Sequence, residues 1–166
     1  VVDVGGHTVD VAVIDPGGTI NPLSLKSTRT GILKMTTDFE RYIRSNNSTY
    51  FQDTGNLDIK RIEDALISEN YKFGKMKIDC SQEARSVKNA LVNEIVDVIN
   101  QAGSAANFDN ILLTGGGPVL IYPELLNAYQ RIDFLMAEPN RDIMKFANAF
   151  GGAKIASLLR RMGYWQ

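Results

Sequence analysis

The spacing of apolar residues changes period several times along this chain, and each change marks an element. The chain opens in an apolar run, VVDV, with Asp3 at the mouth of a strand. After Gly5-Gly6-His7-Thr8, residues Val9, Val11 and Val13 alternate with Asp10, Ala12 and Ile14, the two-residue period of a second strand. DPGG at residues 15–18 is a strong turn signal, and TINPLSLKS behind it completes a predicted three-strand meander. From Gly31 the period lengthens: Ile32, Met35, Phe39, Tyr42 and Ile43 follow one helical face as far as Arg44. SNNSTYFQDTGN (45–56) has the composition of a loop. DIKRIEDALISE predicts a short charged helix with Ile59, Ile62 and Leu66 on one side, and YKFGKMKID (71–79) a strand or hairpin.

The longest predicted helix runs from Ser81 to Ala102, because Ala84, Val87, Leu91, Ile95, Val98 and Ala102 repeat at spacings of three and four. Asp79 and Gln82 have the spacing of a capping box ahead of it. NILLTGGGP reads as a short buried strand ending in glycines. Pro123 suits the first turn of a helix over PELLNAYQ, RIDFLMAEP makes another short strand, and Asn140 can cap a last helix through KFANAFGGAKIASLLRR. The expected architecture is an α/β domain. Its five-stranded mixed sheet carries helices on both faces, and an inserted subdomain spans about 46–80.

Composition narrows the function classes. At 166 residues, the chain is long enough for one domain with its own core. Eighteen basic against nineteen acidic side chains supply no strong positive field, so any link to nucleic acid is expected to be indirect. A single cysteine, Cys80, excludes an intrachain disulfide and reads as a small buried residue. With no signal-peptide pattern and no apolar run near the ~20 residues of a membrane span, the expected setting is cytoplasmic. A start inside a strand suggests a piece of a longer protein.

Two glycine clusters are the candidates for chemistry. In DVGGHTVD, the Gly5-Gly6 backbone can approach an anion closely, and Thr8 adds a hydroxyl. Asp3 is placed to hold Mg²⁺ through water, as that ion prefers when phosphates supply other ligands. A plain alternative is a tight hairpin whose glycines serve only the turn, with Asp3 and Asp10 as solvated strand-end acids. In LLTGGGP, three glycines after a buried strand let a flat ring or sugar approach the main chain. Neither cluster fits the dinucleotide fingerprint or the Walker loop. His7 has no second histidine to share a metal. Met35, Phe39 and Tyr42 read as core, KRIED as a solvated helical face, and no serine has the adjacent base that nucleophilic catalysis needs.

Taken in order, DVGGHTVDVAVID, ILLTGGGPVL and PNRDIMKFANAFGGAKIA resemble the second phosphate motif, adenosine motif and second connecting helix of the actin-like ATPase superfamily, whose domains have a ribonuclease-H-like fold. The pattern is most similar to the ParM/StbA group. The resemblance implies that this is the C-terminal domain of an ATPase closing on ATP or ADP and Mg²⁺ together with an N-terminal domain not in this sequence. It implies Asp3 for Mg²⁺ and the attacking water, and Gly5, Gly6, His7 and Thr8 for the phosphates. Gly115, Gly116, Gly117 and Pro118 would border the adenosine, with Lys60, Arg61, Glu63 and Asp64 toward base and ribose. His7 stands where a smaller residue is usual. The implied partners are further copies in a filament and a DNA-bound adaptor, with no direct contact to nucleic acid or membrane. A small-molecule kinase of the same superfamily, or an interaction module without nucleotide chemistry, is the competing class.

Overall fold

The computed structural model describes residues 1–51, 55, 57–104, 107–129 and 133–136. Strands β1 (Val2–Val4), β2 (Val9–Val11) and β3 (Lys26–Thr28) form the expected antiparallel meander. The DPGG segment turns as its residues require, with the Gly18 amide donating to the Asp15 carbonyl at 2.8 Å and Gly18 at φ +79°. Between β2 and β3 the chain is less extended than TINPLSLKS suggested: Pro22–Ser24 is one 3₁₀ turn, its Leu23 amide capped by the Asn21 side chain. Helix α1 (Ile32–Asn46), helix α2 (Ser48–Phe51) and helix α3 (Ile59–Ser68) follow, then a hairpin of β4 (Asn70–Phe73) and β5 (Met76–Asp79). Helix α4 (Ser81–Ala102), strand β6 (Asn110–Thr114), helix α5 (Pro118–Ala128) and strand β7 (Asp133–Met136) complete the described elements.

The main sheet is mixed and five-stranded, in the order β3-β2-β1-β6-β7, with β6 parallel to both β1 and β7. Period-two patterning explains how it sits. Val2, Val4, Val9, Val11, Ile111 and Leu113 are all buried, while Asp10 and Leu112 between them are exposed. The buried face packs under α4, which spans β2 and β3 and carries α1 and α5 at its sides. Ala84, Val87, Leu91, Ile95 and Val98 form the α4 stripe that periodicity predicts, and all are buried. The hairpin β4–β5 is a separate two-stranded sheet resting on α3. The helix expected from Asn140 lies outside the described residues.

Four local expectations change. The supposed loop after Arg44 begins as helix: α1 runs on to Asn46, and α2 follows because Phe51 packs edge-on against Tyr71 and Phe73, 5.6 Å from each ring centre. Tyr42 and Ile59, placed on apolar faces by spacing, are 43% and 49% exposed, because each lies at the margin of a stripe that Phe39, Ile43, Ile62 and Leu66 fill. Cys80, rather than Asp79, is the N-cap of α4; the Asp79 carboxylate instead accepts from the Ser81 amide at 2.9 Å, which holds its carboxyl below the usual range. Helix α5 starts at Pro118, so Pro118 takes the N1 position predicted for Pro123, and Pro123 lies exposed inside the helix. Buried Leu120, Ile121 and Leu125 carry the helix through the hydrogen bond that Pro123 lacks.

These assignments separate core from margin. Ile95→Ala, at a fully buried position, should lower unfolding free energy by about 3 kcal/mol. Tyr42→Ala should change it by less than about 0.5 kcal/mol. Urea denaturation followed by circular dichroism measures both, and equal losses would contradict the assigned core.

Candidate functional site

The site begins with a register. Four residues, Gly5 to Thr8, join β1 to β2, so Val4 pairs with Val9 and Asp3 lies directly opposite Asp10, both on the same sheet face. The turn is closed by the Gly5 amide donating to the Thr8 carbonyl at 2.9 Å. The Thr8 hydroxyl donates to Asp10 Oδ2 at 2.8 Å, so it orients this second acid rather than standing free as the donor expected from sequence. Asp10, which the sequence offered only as a solvated strand-end acid, stands directly beside Asp3. Its signal was the register itself: once GGHT closes as a four-residue turn, the partner of Asp3 has to be Asp10.

Helix α1 sets the orientation of the turn. Its first amides, those of Ile32 and Leu33, donate to the carbonyls of Gly5 and Gly6 at 3.1 and 2.8 Å. In a trans peptide unit, N–H and C=O point in opposite directions. With both carbonyls drawn toward α1, the amides of Gly6 and His7 are aimed away from it, and both residues are exposed. Successive N–H groups turned outward from a glycine turn form an anion-binding concavity. The close fit needs Gly31, where a Cβ would lie 2.5 Å from the Gly6 carbonyl oxygen.

The second glycine run comes to the same place. Parallel pairing sets Asp3 beside Thr114, and the chain leaves β6 through Gly115 at φ +85°. A Cβ at Gly115 would stand 2.4 Å from Asp3 Oδ1 and 2.6 Å from the Val4 carbonyl oxygen. The Gly117 amide donates to that same Val4 carbonyl at 3.0 Å, and a Cβ there would meet Val4 Cγ1 at 2.4 Å. Gly115, Gly117 and Pro118 are buried in this junction and Gly116 is half-exposed. Asp3, the Gly5–Thr8 turn and the Gly115–Gly117 turn are thus neighbours at one end of β1 and β6.

The residues expected toward base and ribose lie on α3. Lys60, Arg61 and Asp64 are exposed and Glu63 is half-buried on a helix that touches α5. Arg61, Asp64 and Ser68 of α3 line a cleft of about 540 Å³ with Asn70 and Lys72 of the hairpin, and the glycine turns do not border it. A larger cleft of about 560 Å³, walled by Val1, Val13, Ile14, Phe108 and Leu112 among others, lies at the opposite end of β1 and β6 from the glycines. The glycine junction is the better candidate despite that larger volume, because it joins outward amides to paired acids. Cys80 is buried, its thiol pushed up by burial, as an inert core residue would be. Among the described residues, no helix is long and apolar enough to cross a membrane, and no three metal-ligating side chains of the His, Cys, Asp and Glu type gather.

The meander and the parallel strand leading into a second glycine turn agree with the actin-like superfamily that the resemblance implied. The family model described as archaeal actin homologue MreB-like, C-terminal, matches residues 1–127, and the chain belongs to that family. Among solved structures, the chain shares its fold with a 15-stranded ParM filament from Clostridium botulinum (TM-score 0.74, 18% identity, 95% of this chain and 44% of that one). It shares it also with Ta0583, an archaeal actin homolog in complex with ADP (0.69, 21%, 94% and 48%). A third is Bacillus thuringiensis ParM with ATP (0.65, 17%, 97% and 46%). The chain therefore spans less than half the length of these structures. No curated protein matches it in sequence.

The junction tolerates no side chain at its centre. Gly115→Ala should cost about 3 kcal/mol, combining a left-handed backbone with a collision against Val4. At Gly17, where a Cβ meets nothing within 4 Å, the same change should be neutral within about 0.5 kcal/mol. Thermal melts of the two variants compare them, and a neutral Gly115→Ala would remove the close approach.

Proposed function

We propose that this chain is the nucleotide-binding C-terminal half of an actin-like ATPase that hydrolyses ATP and assembles into filaments. The observation that carries the reading is the meeting of two glycine turns over Asp3: one presents the Gly6 and His7 amides to an anion, and the other keeps main chain, without side chains, against β1. In this reading the Gly5–Thr8 turn holds the phosphates through its outward Gly6 and His7 amides, the Gly5 amide closing the turn and Thr8 orienting Asp10. Gly115, Gly116, Gly117 and Pro118 border the adenosine. Lys60, Arg61, Glu63 and Asp64 of α3 would serve base and ribose, on the resemblance alone.

The acids suit Mg²⁺. Asp3 and Asp10 project from adjacent strands on one face, and two carboxylates are a typical protein share for an ion that keeps several waters and takes phosphate oxygens as its other ligands. When bound, Mg²⁺ neutralises charge on the phosphates. The chain's own residues do the rest. Asp3 orients water at the end of β1, Thr8 fixes the Asp10 carboxylate through its hydroxyl, and the outward amides are preorganised toward developing negative charge. Hydrolysis also needs groups from the facing domain, since positioning and water exclusion demand both walls of the cleft. Filament assembly is proposed on the likeness to a ParM solved as a filament.

In the full-length protein, Asp3→Ala should slow single-turnover Mg-ATP hydrolysis by about a hundredfold or more, while weakening ATP affinity by less than about tenfold, because the acid acts chiefly in the transition state. Thr8→Ala, which only releases Asp10, should slow hydrolysis by about tenfold. Calorimetry supplies the affinities. Sedimentation with Mg-ATP tests assembly: soluble full-length protein at all concentrations would remove the filament half of the reading, and equal loss of binding and hydrolysis in Asp3→Ala would reassign the acid.

A further inference from the structure

Two charged residues occupy apolar positions in the interface between α4 and α5. Lys88 follows Ala84 by four and precedes Leu91, Val92 and Ile95 in the buried stripe of α4. Glu124 follows Gly117, Leu120 and Ile121 in the buried stripe of α5. Their side chains are 7% and 14% exposed, and Lys88 Nζ meets Glu124 Oε1 at 3.2 Å. Glu124 Oε2 is buried and has no hydrogen-bond partner among the described residues. A pair like this is a poor source of stability, since desolvation of both charges offsets their attraction and an apolar pair of similar volume packs at least as well. What an apolar pair lacks is direction: Leu and Met slide and rotate past one another at little cost, whereas a buried ammonium and carboxylate hold one register.

The helix held this way is the one that opens from the second glycine turn. Gly117 is its N-cap, and its first turn is tied to the sheet by one backbone bond, Gly117 N–H to the Val4 carbonyl. Pro123, one residue before Glu124, lacks the N–H that would bind the Val119 carbonyl, so the first half of α5 is short of an internal hydrogen bond. A second polar tie, Tyr129 hydroxyl to the Val96 carbonyl at 3.4 Å, lies beyond the end of α5 farthest from the glycines. We propose that Lys88 and Glu124 are positioning residues, whose buried ion pair fixes the register of α5 on α4 and thereby the placement of the Gly115–Gly117 turn against β1. Its consequence for ligand binding rests on the nucleotide reading given above; its consequence for the turn itself does not.

The test separates stability from placement in the full-length protein. The apolar pair Lys88→Met with Glu124→Leu should melt at or above the wild-type temperature. Yet amide exchange at Gly117, measured without nucleotide, should accelerate about tenfold, and ATP affinity by calorimetry should fall by a similar factor. The reversed pair, Lys88→Glu with Glu124→Lys, should return both to within about threefold of wild type, because it restores direction. Wild-type exchange at Gly117 in a folded apolar pair would overturn the proposal, leaving the two residues as packing alone. If the apolar pair does not fold, the reversed pair decides: a folded protein with a protected Gly117 amide supports the proposal, and a folded one with fast exchange overturns it. Faster Gly117 exchange in the apolar pair, with no ATP binding even in the wild type, would support positioning while overturning the nucleotide reading.

Discussion

The parallel pairing of Val2 and Asp3 with Leu113 and Thr114 is the constraint on which the rest of this structure depends. It brings together two glycine turns that lie far apart in the chain, and it does so at the strand ends where each chain must turn. The approach is closer than any side chain allows: the space a Cβ would take at Gly115 is held by Asp3 and the Val4 carbonyl, and at Gly117 by the Val4 side chain. Glycine is needed there so that main chain can rest on main chain. The Val4 carbonyl then accepts the Gly117 amide, which fixes where α5 begins.

A second consequence follows on the other side of β1. The turn after Val4 is clasped from behind by the first amides of α1, which would otherwise be among the unpaired donors at a helix start. Helix N-termini commonly present such amides to an anion directly. Here they are spent on the Gly5 and Gly6 carbonyls, and the outward-facing donors become those of the turn itself. The donor surface is thereby moved one layer out, to the exposed Gly6 and His7, and beside the paired acids Asp3 and Asp10. A side chain at Gly31 would disturb that surface from behind, through the Gly5 and Gly6 carbonyls.

Both turns are therefore positioned by helices that lean on α4. Helix α1 packs along one side of it and α5 along the other, and α4 in turn covers β2 and β3. The single long helix acts as a common beam: its apolar stripe supplies cohesion, and Lys88 within that stripe supplies register. A binding surface made of backbone needs such support, because glycine turns have no side chains with which to hold themselves in place.

Period and punctuation in the sequence determined most of the secondary structure: the meander, the hairpin, the buried strand before GGG, and the full extent of α4 from Ser81 to Ala102. These are legible because a repeat of two or of three and four follows directly from local backbone geometry. The order of the two glycine motifs likewise carried the superfamily resemblance. What only the tertiary structure decided are matters of which neighbour a residue meets. Tyr42 and Ile59 have the spacing of core residues and lie at its margin. Phe51 makes a helical turn out of loop-like sequence by packing on Tyr71 and Phe73. Asp10 joins Asp3 through cross-strand register, Thr8 turns to Asp10, and Lys88 finds its counter-charge on a helix some 36 positions further along the chain. Local patterns specify which face of an element is apolar; they carry no information on which distant charge or backbone will occupy the space opposite, because that is set by the packing of all the elements at once.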